Sequence, residues 1–163
     1  MPDTVLIRPA KTDDAIQMAV VLNEIISIGG TTAFEDPVTP ENIKDWYISE
    51  AMFCHVALDD DGQVAGFQTV EQTNAYGDGI GEISTFARQT PVVRGVGTAL
   101  FQATKRAAID ASLAEINAKI RADNTPGLAY YSKMGFHDHG VIPGVPLKDG
   151  KKVDRILKRF ALT

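Results

Sequence analysis

The feature that most constrains the fold is a pair of glycines in mid-chain, between a strand-like run and a helix-like run. Residues 81–87 are typical of a strand, and Gly95 and Gly97 follow them. From Gly97 to Ile109 apolar residues recur with a helical period, and residues 116–120 alternate as a second strand does. The order strand, helix, strand predicts a crossover and a parallel strand pair.

The rest of the chain predicts helices and strands in mixed order. Threonines at Thr12, Thr39 and Thr125 offer capping side chains at helix starts, and proline follows two of them. The predicted helices cover 12–28, 39–47 and 125–134, and the predicted strands cover 5–7, 53–58, 63–70, a run from 136, and 153–160. We therefore predict one α/β domain, residues 1–163, with a mixed, mostly antiparallel sheet flanked by helices.

Bulk properties exclude several classes of protein. Cys54 is the single cysteine, which excludes a disulfide-stapled secreted domain. The first residues lack the basic start and apolar run of a signal peptide, and no run approaches the roughly 18 apolar residues of a membrane span. The net charge is -5. We expect a cytoplasmic protein that binds neither membranes nor nucleic acid.

The mid-chain segment Arg94-Gly95-Val96-Gly97-Thr98 predicts an anion site. Glycines let the backbone approach a ligand, and the free amides and dipole of a helix start favour phosphate. The segment lacks the Gly-Lys-Ser/Thr of a P-loop, and Leu100 stands where the dinucleotide fingerprint has its third glycine. A tight turn without a ligand is the alternative interpretation.

A second motif runs from Asn124 to Phe136 and contains Tyr130, Tyr131 and Gly135. By itself it indicates a capped helix whose tyrosines pack. Together with the glycine loop, the order glycine loop, strand, Asn and Tyr-x-x-x-Gly-Phe resembles the GNAT superfamily of N-acetyltransferases. That superfamily's loop reads Gln/Arg-x-x-Gly-x-Gly/Ala.

In that comparison Gly95 and Gly97 match the glycines of the loop, and Arg94 matches a basic residue often seen before the first one. Val92 departs from the usual Gln or Arg. A narrower resemblance, over residues 23–46 and more loosely 148–154, is to the phosphinothricin and methionine sulfoximine acetyltransferase branch. The strand at 84–87 departs from that branch. The branch resemblance implies a homodimer.

The superfamily resemblance implies acetyl-coenzyme A as co-substrate. A backbone amide at Phe86 or Ala87 would face the thioester carbonyl. The loop, with residues Arg94, Gly95, Val96, Gly97 and Thr98, would hold the pyrophosphate. Asn124 would bind the cofactor arm or fix the following helix.

The same resemblance suggests catalytic roles. Tyr131 occupies the position of the tyrosine that protonates the departing thiolate, and Tyr130 is the competing choice. Glu82 is the candidate base, directly or through a water, against the alternative of a solvent-facing glutamate. Phe34 and Glu35 would line the acceptor pocket, unless Phe34 merely anchors its loop.

We expect no metal site, because His137 and His139 share a strand face without a third ligand nearby. The sequence thus predicts an N-acetyltransferase that acts on the amine of a small molecule, an amino acid or its analogue. The alternatives are a polyamine, an aminoglycoside or a protein amino terminus as acceptor, or a sensor that binds acyl-coenzyme A without turnover.

Overall fold

A computed structural model describes residues 5–163. The first four residues, on which the expected absence of a signal peptide depends, lie outside the described residues. Seven strands form one sheet: β1 (Leu6–Pro9), β2 (Phe53–Leu58), β3 (Val64–Gln72), β4 (Ile80–Ala87), β5 (Glu115–Arg121), β6 (His137–Pro146) and β7 (Lys152–Ala161). Their order is β1-β2-β3-β4-β5-β7-β6, and only β4 and β5 pair in parallel. The predicted mixed, mostly antiparallel sheet is confirmed.

Four α-helices accompany the sheet: α1 (Ala15–Ile28), α2 (Pro40–Ile43), α3 (Val96–Asp110) and α4 (Thr125–Met134). A 3-10 turn at Thr12–Asp14 precedes α1, and a π-helical segment at Lys44–Ser49 continues α2. Within residues 5–163 no helix has the length and apolar character needed to cross a bilayer.

Two of the three predicted helix caps were wrong by one or two residues. Thr39 caps α2 as predicted, since its hydroxyl accepts the Asn42 amide at 3.0 Å. Before α1, however, the side chain that accepts a backbone amide is Asp14, from Lys11 at 2.7 Å, and not Thr12. At α4 the cap is Asn124, which accepts the Gly127 amide at 2.9 Å and places Thr125 inside the helix. Asn and Asp cap at least as well as Thr, so the neighbouring residue prevails.

The helices cover opposite faces of the sheet. α1 and the α2 segment pack on one face, where Met18 and Tyr47 meet Phe67 and Phe86 in one buried cluster. α3 and α4 pack on the other, where Phe101 and Tyr131 contact side chains of β3, β4 and β5. Because strand side chains alternate between faces, this assigns each residue of the central strands to one side. We call the two sides the α1 face and the α3 face.

Strands β4 and β5 part before they end. They pair over four positions, from Ile80 opposite Glu115 to Ile83 opposite Ala118. Beyond this point β4 stays paired with β3 up to Ala87, and β5 with β7 up to Arg121. The sheet therefore contains a gap between the carboxyl-terminal halves of its two parallel strands.

The backbone of β4 presents hydrogen-bonding groups to this gap. The Arg88 amide donates to the Ala65 carbonyl at 2.8 Å, which fixes the alternation of amides along β4. The amide of Phe86 points toward β3, and those of Thr85 and Ala87 point toward the gap. Of Phe86 and Ala87, only Ala87 has an amide that points toward the gap, and a contact with a thioester carbonyl stays a prediction.

Candidate active site

The gap opens into a cavity of about 550 Å³. Both strands line it, as do the loop after α1, the start of α3 and one face of α4. A second cavity of about 490 Å³ adjoins it, and the two share Phe34, Tyr47 and Glu71. The larger cavity alone takes side chains from both faces of the sheet, such as Glu82 from the α1 face and Tyr131 from the α3 face.

The glycine loop ends where α3 begins. Gly95 is the residue before the helix and has a φ of 83°, a left-handed conformation that favours glycine. In an α-helix the amides that follow, here of Val96, Gly97 and Thr98, have no acceptor within the helix. The side chain of Val96 is buried, so this residue offers a ligand only its backbone. The geometry is that of an anion cradle built from amides, and binding of a pyrophosphate there stays a prediction.

Tyr130 of α4 packs against Gly97 in the first turn of α3, which carries this cradle. Its hydroxyl donates to the Gly97 carbonyl at 2.7 Å and accepts from Gln68 Nε2 at 3.0 Å. A Cβ atom on Gly97 would lie 2.6 Å from Tyr130 Cε1, so the ring requires a glycine there. Burial raises the pKa of Tyr130 to about 12. These contacts favour the interpretation of Tyr130 as a packing residue.

Tyr131 lies on the cavity wall beside the point where the strands part. Its hydroxyl lies 2.8 Å from Thr85 Oγ1, and its side chain is buried. Burial raises the pKa of Tyr131 well above its usual range, so the hydroxyl keeps its proton at neutral pH. The group is thus available as a proton donor next to the amide of Thr85 that faces the gap.

Two carboxylates face the cavity from the α1 face. Glu82 on β4 and Glu71 on β3 are directly opposite each other in the antiparallel pair. The Tyr76 hydroxyl donates to Glu82 Oε1 at 3.2 Å. Burial, followed by the charges of Glu82 and Glu50, raises the pKa of Glu71. A cluster of acids in this position can attract a cationic amine and accept its proton.

Two arginines line the cavity at its far end. Arg121 on β5 and Arg155 on β7 are opposite residues of an antiparallel pair, and both are buried. Arg121 donates to both carboxylate oxygens of Asp123, at 2.9 and 2.8 Å, and to the Thr32 carbonyl at 3.0 Å. The cavity wall thus carries a pair of acids on β3 and β4 and a pair of buried arginines on β5 and β7, together with the exposed Lys119 of β5.

The predicted acceptor residues have different places. Phe34 lines both cavities and stacks on Trp46 with ring centroids 5.7 Å apart. Glu35 is not part of the cavity wall: its carboxylate accepts the Lys148 amide at 3.0 and 3.3 Å, in the turn between β6 and β7. Phe34 thus packs its loop against Trp46 and also lines the cavity, whereas Glu35 binds the turn between β6 and β7.

The comparison with known proteins decides the family. Residues 22–136 match the acetyltransferase (GNAT) family. The chain belongs to the GNAT family of acetyltransferases. The predicted family resemblance and the predicted enzyme class are confirmed.

Similar proteins include members of the predicted branch. YwnH of Bacillus subtilis (strain 168), provisionally named a phosphinothricin acetyltransferase, is 32% identical over 94% of this chain and 97% of its own. An L-methionine sulfoximine/L-methionine sulfone acetyltransferase of Pseudomonas aeruginosa (strain PAO1) is 29% identical over 91% of this chain and 89% of its own. A phosphinothricin acetyltransferase of Sinorhizobium meliloti, solved with acetyl-coenzyme A, has a TM-score of 0.85 at 20% identity over 97% and 88% of the two chains.

In this GNAT enzyme the structure gathers most of the predicted site. Ala87, Tyr131, Glu82 and Phe34 line one cavity together with Gly97, whereas Arg94, Gly95, Val96 and Thr98 do not contribute to its wall. Asn124 lies there too, but both ends of its amide are engaged, since it caps α4 and donates to the Thr31 carbonyl at 2.8 Å. Of its two predicted roles, this arrangement shows the one that fixes the helix. Cofactor contact by Asn124 stays a prediction.

Sequence reasoning missed four charged residues of the GNAT enzyme's cavity: Glu71, Lys119, Arg121 and Arg155. The position of Glu71 opposite Glu82 can be inferred only when the register of the β3–β4 pair is known. The position of Arg155 opposite Arg121 can be inferred only when β7 is known to pair with β5. Within residues 5–163 no three His, Cys, Asp or Glu side chains gather as a metal site, and His137 and His139 are exposed on β6.

Proposed function

We propose that this enzyme transfers the acetyl group of acetyl-coenzyme A to the amine of an amino acid or an analogue of the phosphinothricin or methionine sulfoximine type. The observation that carries the proposal is the gap between β4 and β5, with an amide cradle at its rim and paired carboxylates on its α1 face. The names of the relatives, and the acetyl-coenzyme A in the Sinorhizobium meliloti structure, support the choice of donor and acceptor.

Acetyl-coenzyme A would supply the acetyl group as a thioester. The amides of Val96, Gly97 and Thr98 would bind its pyrophosphate, with Arg94 at the exposed rim of the same loop. The Ala87 amide, which points into the gap, would donate to the carbonyl oxygen as negative charge develops there. Phe86 would contribute its buried ring to the wall, and Asn124 would hold the start of α4.

An ammonium ion has no free electron pair, so the acceptor must lose a proton before it attacks. Glu82 would take this proton, directly or through a water. Glu71 lies opposite Glu82 on the same face and would add negative potential that draws the cationic amine inward. Tyr131 keeps its hydroxyl proton and would deliver it to the departing sulfur.

The proposal extends to the setting of the enzyme. It includes a cytoplasmic location, a homodimer, and the absence of nucleic-acid and membrane partners; composition and the branch resemblance support these. Size-exclusion chromatography with light scattering measures the mass directly. A value near 35 kDa, about twice the 17.6 kDa of one chain, agrees with the dimer, and a value near 17.6 kDa contradicts it.

The decisive test is thiol release from acetyl-coenzyme A with a panel of amines. The panel holds the standard amino acids, methionine sulfoximine, phosphinothricin, polyamines and an aminoglycoside. Turnover restricted to amino acids and their analogues is the expected result. Turnover only with polyamines or aminoglycosides would support the proposed acetyl transfer but contradict an amino acid or its analogue as the acceptor. No turnover in spite of bound acetyl-coenzyme A would favour a protein amino terminus or a sensor instead.

A further inference from the structure

We propose that the guanidinium of Arg155 binds the carboxylate of the acceptor and so makes the enzyme selective for amines that carry one. The inference rests on the proposed function, which it deepens by naming the group that recognises the acceptor.

The first observation is that Arg155 is a buried cation with few partners. Its side chain lines the larger cavity, yet the residue is only 5% exposed. Among residues 5–163 its one hydrogen bond runs from Nη1 to the Val153 carbonyl at 3.0 Å, and no carboxylate lies within 4.0 Å of it. A buried charge is costly unless it is paired, so this guanidinium lacks an anion.

The second observation is that the neighbouring charges do not satisfy Arg155. Arg121 lies opposite it on β5 and already holds Asp123 through two hydrogen bonds. Burial and then Arg121 lower the pKa of Arg155, whereas the charges of Asp123 and Glu35 act in the opposite direction. Asp123 is held by Arg121 through both carboxylate oxygens, and among the described residues no carboxylate forms a hydrogen bond with Arg155.

The third observation is that the arginines and the acids share one face of the sheet. Arg121 alternates with Ile120, and Glu82 alternates with Ile83, and both isoleucines pack on the α3 face. These four groups therefore face the α1 side, with the acids near the start of the gap and the arginines near its end. Lys119 lines the same side, but its side chain is exposed, whereas both arginines are buried. A zwitterionic amino acid complements this polarity, whereas a polyamine would bring a cation against a buried cation.

A guanidinium suits this task because it offers two parallel N–H donors to the two oxygens of a carboxylate. Arg155 has unused donors on the cavity wall and is itself buried. The carboxylate would hold the acceptor by one end and leave the amine directed toward Glu82 and the thioester.

The experiment compares each amino-acid acceptor with its α-carboxamide, which keeps the amine and loses the negative charge. Binding is measured by calorimetry in the presence of coenzyme A, so that no turnover occurs. Turnover is measured separately with acetyl-coenzyme A. The variants are Arg155→Gln and Arg155→Lys. Lys152→Gln, on an exposed residue of the same strand, removes one positive charge outside the cavity as the matched control.

We expect the parent to bind the acid at least about tenfold more tightly than the carboxamide, which corresponds to one good charge-assisted pair. Arg155→Gln should abolish this preference, because it should weaken binding of the acid and leave binding of the carboxamide unchanged. It should raise KM for the acid and leave KM for acetyl-coenzyme A unchanged. Arg155→Lys should retain part of the preference, and Lys152→Gln all of it. The lysine variant also serves if the glutamine variant fails to fold.

Equal binding of acid and carboxamide by the parent would overturn the inference, as would equal losses for both ligands in Arg155→Gln. Binding of neither ligand by the parent would overturn it too. These outcomes differ from failure of the proposed function, which is absence of turnover with every amine. In that case a carboxylate preference in binding that depends on Arg155 would still support the anion site.

Discussion

The ring of Tyr130 occupies the space that a side chain on Gly97 would need, and its hydroxyl holds the carbonyl of the same glycine. One tyrosine of α4 thus sets the position of the first turn of α3. Because that turn carries the amides proposed to bind the pyrophosphate, the contact connects packing between two helices to cofactor affinity.

Gly97→Ala tests this connection. Gly97 has ordinary helical backbone angles, so alanine adds a clash with Tyr130 and no backbone strain. We expect about 1–3 kcal/mol lower unfolding free energy, as for other overpacked sites, and about tenfold weaker binding of acetyl-coenzyme A. Calorimetry and urea unfolding measure the two effects. In a Tyr130→Leu background the same alanine should cost little, and equal costs in both backgrounds would reject the steric explanation.

Tyr131→Phe should lower kcat about a hundredfold with little change in the affinity for acetyl-coenzyme A, because it removes a proton donor and keeps the ring. Tyr130→Phe is the contrast. It breaks the hydrogen bond to Gly97 and should mainly raise KM for acetyl-coenzyme A. Steady-state kinetics with both substrates separates the two variants. The reverse pattern would assign the acid to Tyr130.

Glu82→Gln should lower kcat/KM about a hundredfold at pH 7, where the amine arrives protonated and needs a base. At high pH the free amine loses its proton in solution, so the loss should shrink. A pH profile of kcat/KM for parent and variant, from pH 6 to pH 10, measures this difference. A loss of constant size across the profile would argue that Glu82 positions the substrate or strand instead.

Glu71→Gln should stabilise the protein at neutral pH. The pKa of Glu71 is raised in the folded state, so folding favours its protonated form. Stability from this group is complete below its unfolded pKa and is lost as the pH rises through the folded pKa. Glutamine has no charge to lose and so avoids this penalty. We expect the free energy of unfolding to rise by about 0.5–1 kcal/mol at pH 7, and the gain to disappear toward pH 4. The value is small because the group is partly exposed. Urea unfolding at both pH values measures it.

Asp14→Asn should destabilise the protein by about 2 kcal/mol, because Asp14 accepts two hydrogen bonds from Arg8, at 2.7 and 2.8 Å, and one from the Lys11 amide. The Arg8 pair, before other contributions, lowers the pKa of Asp14. Its contribution is therefore present above the unfolded pKa of about 4 and is lost as the pH falls through the folded pKa. The exposed neighbour Asp13→Asn is the control, and denaturant unfolding at pH 7 and pH 3 tests both.

Local sequence signals predicted the elements well. The strand at 53–58 agrees with β2 residue for residue, and α3 differs from its prediction by one residue at each end. These segments have a clear period and end at glycine, proline or turn residues. The caps were less accurate, because Asp14 and Asn124, rather than the threonine close to each, accept a backbone amide at these helix starts.

Pairs of charged residues on neighbouring strands could not be predicted from local sequence signals. Glu71 and Glu82 are eleven positions apart along the chain, and Arg121 and Arg155 are 34 apart, yet each pair is directly opposite in the sheet. Only register and strand order bring them together. In particular, β7 inserts between β5 and β6, and nothing in the sequence near Arg155 indicates that neighbour. Glu35, in contrast, was assigned to the acceptor by resemblance and holds the Lys148 turn.

The parting of β4 and β5 has an evolutionary consequence. The gap is made by backbone hydrogen bonding, which stops after Ile83 and Ala118, and does not depend on one particular side chain. Side chains of the α1 face can therefore be exchanged by mutation while the opening for the donor persists. A descendant of this enzyme could change which amine it modifies through a few substitutions such as one at Arg155, with the scaffold and the entry path for the donor inherited intact.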